Sequence, residues 1–143
     1  MKKVFLILMI FSFLYSNDGK NCNEIYTIYY VPLSVNTYIP IKRRDLLLVK
    51  PFIMQSYKIN KLFNALKSNN SKKIEDNQVF NLRILIKDSC KKEIILTQQK
   101  EVVSILNKKL YIINQKLVND VIDEISKIGK MKLTTSKIKV ENP

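Results

Sequence analysis

The stretch VFNLRILIKDSCKKEIILT, Val79–Thr97, decides the fold. Phe80, Leu82, Ile84 and Ile86 alternate with Asn81, Arg83, Leu85 and Lys87, with Leu85 as the one apolar intruder. Successive strand side chains point to opposite faces, so this alternation predicts a half-buried strand. The polar Asp88–Lys92 segment turns the chain, and Glu93–Thr97 returns. Strands that follow one another without an intervening helix pair antiparallel, and this hairpin sets the frame of the sheet.

Toward the C-terminus, Val102–Leu106 and Leu110–Ile113 read as a further hairpin. Its turn at Asn107-Lys108 lacks the glycine that tight hairpin turns favour. Beyond Asn114, a plausible cap, Leu117, Val121, Ile125 and Ile128 form a helical stripe flanked by Val118 and Ile122. Gly129 is placed to stop that helix in the left-handed conformation. Residues 130–143 then read as a basic tail or a short last strand.

Toward the N-terminus, EIYTIYYVP (Glu24–Pro32) is rich in strand formers. Tyr26, Ile28 and Tyr30 would share one face, and Ile25, Thr27, Tyr29 and Val31 the other. Leu46–Met54 reads as a second strand that Pro51 confines to a sheet edge or breaks in two. Ser56 can cap a helix whose stripe is Ile59, Leu62, Phe63 and Leu66. Asn69–Asn77 reads as a polar loop. The expected fold is α+β: a mainly antiparallel sheet of about 5–6 strands, with two amphipathic helices on one face.

The first residues carry a different message. Lys2 and Lys3 precede Val4–Tyr15, which is apolar except for Ser12. A spanning helix needs roughly 20 apolar residues, so this run matches the shorter core of a secretory signal. The expectation is a signal peptide over 1–16, cleaved after Ser16, and a single domain over 17–129, exported to the periplasm or secreted. Gly19, Lys20 and Asn21 do not match the small residues that precede a lipidated cysteine, so Cys22 is not read as a lipid anchor. Export places the chain where disulfides persist, and Cys22 and Cys90 allow one intramolecular bridge. That bridge requires the first strand to run antiparallel to the Phe80 strand, or parallel to the one after the turn. The competing states are two free thiols or a dimer linked through Cys22.

The formal charge of +13 invites a polyanion reading. Against it, 22 Lys, 20 Ile and 14 Asn together suggest a codon bias, and the lysines are scattered. Arg43, Arg44 and Arg83 are the only arginines, although arginine is the usual choice for phosphate and base recognition. Nucleic acid is therefore not the expected partner; acidic envelope polymers or anionic lipid are the polyanions an exported chain would meet.

Missing residue types narrow the chemistry further. The chain has no histidine, which removes Ser-His and Cys-His nucleophiles and histidine metal sites. Gly19 and Gly129, the only glycines, cannot build a phosphate-cradling loop. Asp120, Asp123 and Glu124 could in principle act as paired carboxylates. Lys116 and Lys127 stand four residues from Asp120 and Asp123, so a solvated, ion-paired helix face is the simpler reading. No catalytic, cofactor-binding or metal-ligating residue is assigned. Tyr26, Tyr29 and Tyr30 are candidates for a partner surface, weighed against ordinary strand packing. Arg43 and Arg44, in IKRRD, are candidates for recognising an acidic group, weighed against plain solvated charge. The functional expectation is a small exported, non-enzymatic envelope protein that binds another macromolecule, most readily a protein, as an inhibitor, immunity-type protein or assembly accessory. Its alternatives are an electrostatic binder of envelope polyanions or anionic lipid, and a carboxylate-dependent enzyme.

Overall fold

The structure is a computed structural model that describes Cys22 and residues 24–138, with side chains as far as Lys132. Its strands are β1 (Ile25–Tyr30), β2 (Phe52–Gln55), β3 (Ser71–Lys73), β4 (Leu82–Asp88), β5 (Glu93–Thr97), β6 (Val102–Ser104) and β7 (Lys109–Tyr111). The helices are α1 (Arg43–Leu46), α2 (Tyr57–Ser68) and α3 (Gln115–Ile138). All strands join one seven-stranded antiparallel sheet in the order β2-β1-β4-β5-β6-β7-β3. The fold is thus α+β, as the alternation pattern implies, with more strands than expected. The expected signal peptide lies outside the described residues.

The alternation in β1 sorts the core into two layers. Tyr26, Ile28 and Tyr30 join Ile84, Ile86, Ile94 and Leu96 beneath the two long helices. Ile59 and Leu62 of α2 and Val118, Val121, Ile122 and Ile125 of α3 close that layer. The opposite face holds a second cluster, with Leu82, Leu85, Ile95 and Val103 under Leu46 of α1. β4 is therefore not half-buried: Leu82–Ile86 are buried on both faces. The polar-looking face is covered because β4 lies between β1 and β5, where α1 and the segment leading to it pack across it.

Pro51 decides the fate of Leu46–Met54. Only Phe52–Gln55 pairs, as an edge strand against β1, while Leu46 ends the short helix α1. Proline cannot donate to a ladder, so pairing begins after it. The Asn69–Asn77 segment is not wholly a loop. Its Ser71–Lys73 forms the other edge against β7, and this is the strand beyond those expected. Three exposed polar residues carry no period, and only the partner strand makes them β.

Gly129 does not end α3, which runs on to Ile138. The residue keeps helical backbone, and no glycine among the described residues has positive φ. Its role is close approach: a Cβ there would stand 2.4 Å from Cδ1 of Tyr30. Most of the expected tail, as far as Ile138, is consequently helix, and residues 139–143 lie outside the described residues.

The other local signals hold. Ser56 caps α2, its Oγ accepting from the Ile59 N–H at 3.1 Å. The same hydroxyl donates to Oε2 of Glu124 at 3.0 Å, tying the start of α2 to α3. Cys22 and Cys90 form a disulfide, with Cα atoms 5.6 Å apart. β1 runs antiparallel to β4, the first of the arrangements the bridge permits.

Candidate functional site

A cleft of about 780 Å³ opens beside α2 at the disulfide end of the sheet. Concave sites of roughly 300–1,000 Å³ are the usual size for ligand recognition. Its wall is a single face of α2, where Asn60, Phe63, Asn64 and Lys67 recur at helical spacing. Its floor comes from the sheet: Tyr26 of β1, Ile94 of β5, Ser104 of β6 and Tyr111 of β7. The Tyr26 ring stacks on Phe63 with centroids 5.6 Å apart and planes 17° from parallel. The β4–β5 turn contributes Lys91 and Lys92, and the β6–β7 turn contributes Leu106 and Asn107.

The disulfide and one carboxylate fix the lysine-bearing turn. Asp88 Oδ1 accepts from the N–H groups of Cys90 at 2.9 Å and Lys92 at 2.8 Å. An aspartate folding back on its own turn in this way holds the backbone without help from glycine. Lys91 consequently sits in the left-handed region, with φ 63°. Asp88 is thereby committed to the turn. Glu93 also borders the cleft, but Arg43 holds its carboxylate through Nε at 2.6 Å and Nη2 at 2.8 Å. Lys67, Lys91 and Lys92 therefore leave the cleft with a positive rim above an aromatic floor. Burial, then the charges of Glu24 and Asp88, push the Tyr26 phenol up to about 12.

The residues singled out from sequence fall in different places. Tyr26 and Tyr30 are core residues, 3% and 6% exposed, and of the two only Tyr26 borders the cleft. Tyr29 lies half-buried with the Lys87 ammonium 5.5 Å from its ring centroid. The Glu93 fork pushes the Arg43 pKa up and occupies two of its donor nitrogens. Arg44 is exposed, 3.7 Å from Asp45. The five do not converge on one site.

The carboxylates of α3 do not form the expected surface pairs. Neither Lys116–Asp120 nor Lys127–Asp123 is among the ion pairs of the described residues, and Glu124 instead holds the α2 cap. Among the described residues, no group of three or more His, Cys, Asp or Glu side chains could hold a metal ion. No helix among them is long and apolar enough to cross a membrane.

Sequence reasoning missed Asn60, Asn64, Lys67, Lys91, Lys92 and Asn107. The α2 trio carried a signal, because Asn60, Asn64 and Lys67 form a polar stripe beside the apolar one. The turn residues carried none, since the fold alone brings them opposite α2. Compared with known protein families, with curated proteins and with solved structures, the chain finds no match in any of the three.

Proposed function

We propose that this chain is a small exported, non-enzymatic protein that binds an acidic segment of another protein in the cleft beside α2. The observation that carries the reading is the chemistry of that cleft: a lysine rim and amide side chains over an aromatic floor, braced by a disulfide. Aromatic rings supply contact area at low entropic cost, and the lysines select for negative charge. The disulfide supports export, because such bridges persist in oxidising compartments. The leader-like Met1–Ser16 run supports it independently.

A photo-crosslinking residue at Asn64, in protein expressed in its native host, tests the reading. It should trap a defined partner in the envelope fraction, and Lys91→Glu with Lys92→Glu should abolish the adduct while leaving the fold intact. An adduct that survives both charge reversals would overturn it. Binding through scattered lysine would instead give diffuse adducts that fade with salt, since screening acts on exposed charges.

A further inference from the structure

Arg83 lies in the interior strand β4 and is fully buried. The β4–β5 register slips at this residue: Leu82 stands opposite Thr97 and Ile84 opposite Leu96, so Arg83 is the extra residue of a bulge. A bulge re-aims the side chain it carries, and such irregularities concentrate near functional sites. Among the described residues the guanidinium hydrogen-bonds only neutral groups. Nη2 donates to Oε1 of Gln98 at 3.1 Å and to the Thr37 hydroxyl at 3.5 Å. Those same oxygens also accept from Nδ2 of Asn81, at 2.6 and 3.4 Å. Nε and Nη1 have no acceptor among the described residues.

No carboxylate pairs with Arg83 among the described residues. Burial pulls its pKa down, yet a guanidinium stays charged at ordinary pH. A buried cation without a counter-charge is among the costliest arrangements a core can hold. Its neighbours Leu82 and Ile84 each join an apolar cluster, whereas Arg83 belongs to neither.

The segment that contacts this cation is held mainly at its ends. The Val31 N–H donates to the Arg83 carbonyl at 2.9 Å, and the Leu82 N–H to that of Ile41 at 3.0 Å. Between Pro32 and Pro40, the only hydrogen bonds to the rest of the described chain are the long ones to Thr37. Leu33 packs on the core, but Val35, Tyr38 and Ile39 are 44%, 108% and 76% exposed. A segment with few hydrogen bonds and little buried apolar surface opens well below the free energy of global unfolding.

We propose that residues 32–40 form a strap that opens over Arg83, and that the opened site takes a singly charged carboxylate. One cation among neutral groups matches one negative charge; a dianion would remain half uncompensated. Tyr38 and Ile39 ride on the strap and supply apolar contact beside the ion pair. The inference goes beyond the cleft and does not rest on it, since Arg83 stands at the opposite end of β4 from the Asp88 turn.

Phenylglyoxal modification of the intact native protein, read by peptide mapping, tests it without any variant. Arg83 should react about tenfold faster than the protein unfolds globally, as local opening allows. Sodium acetate replacing chloride at constant ionic strength should slow that reaction, by roughly threefold at twice its dissociation constant, and leave exposed Arg44 unaffected. Reaction of Arg83 only at the global unfolding rate would overturn the strap. Equal protection by acetate and chloride would overturn the carboxylate site. Arg83→Met supplies a second readout: it should fold and lose the acetate-dependent rise in Tm. An equal rise in the variant would also refute the site, and if the variant fails to fold, the wild-type modification rates decide.

Discussion

Replacing Gly129 with alanine should destabilise the protein, although alanine inside a helix is normally the better residue by about 1 kcal/mol. The reason is the Tyr30 ring. An added Cβ would stand 2.4 Å from Cδ1, 2.6 Å from Cε1 and 3.2 Å from Cγ. Carbon atoms in ordinary contact sit about 3.5–4.0 Å apart, so ring or helix would have to move by about 1 Å. Tyr30 is only 6% exposed, so its ring has little room to swing toward solvent. Overpacking of this kind costs about 1–3 kcal/mol, and overlap with two ring atoms places the cost near the upper end. Subtracting the propensity gain leaves a net loss of about 2 kcal/mol. In a domain of this size that lowers Tm by about 8 °C, measurable by calorimetry or circular dichroism. The Tyr30→Ala background gives the control, since alanine keeps none of the clashing atoms. With the ring gone, Gly129→Ala should gain about 1 kcal/mol, so the double-mutant cycle should return a coupling of about 3 kcal/mol. A rise in Tm in the wild-type background, or the same shift in both backgrounds, would refute the reasoning.

Three further outcomes follow from the geometry. Cys22→Ser should lose roughly 4 kcal/mol in the chain-entropy model, because the bridge joins residues 68 positions apart; adding reductant to the wild type should reproduce the loss, and a melt indifferent to reductant would contradict it. The Tyr26 phenol, pushed up to about 12 by burial and then by Glu24 and Asp88, is favoured neutral in the folded state. Its contribution is therefore complete below pH about 10 and is lost as pH rises through about 12, so Tyr26→Phe should shift alkaline unfolding upward, and an unchanged alkaline midpoint would count against the assignment. Lys100 holds φ 63° in the β5–β6 turn, outside the cleft. Left-handed backbone costs a side-chain-bearing residue about 1–2 kcal/mol and glycine entropy returns part of it, so Lys100→Gly should gain about 0.5–1 kcal/mol in thermal or urea unfolding.

What was legible in the sequence was local. The alternation Tyr26, Ile28, Tyr30 names the inner face of β1, and the Ser56 cap and the Ile59 and Leu62 stripe place α2, because each depends on neighbours in the chain. Features made by tertiary contact were not legible. β3 is β only because β7 lies beside it. Gly129 looks like a helix stop, and only the Tyr30 ring shows it to be a point of close approach. Arg83 reads as the polar face of a half-buried strand, yet the chain folds over that face and buries it. The cleft draws on α2, several strands and two turns, so neither periodicity nor spacing could assemble it. The disulfide was legible because two cysteines leave one intramolecular bridge.

The most direct measurement of the central claim is an amide chemical-shift titration of the disulfide-bonded protein with a short glutamate-rich peptide carrying one aromatic residue. Recognition in the cleft predicts shifts concentrated on Asn60, Asn64, Lys67, Lys91, Lys92 and Asn107 that persist at moderate salt, because the aromatic floor contributes a part of the affinity that ions do not screen. Shifts spread over scattered exposed lysines such as Lys50, Lys116 and Lys127, vanishing as salt rises, would contradict it and leave only the charge of the chain as the binding agent.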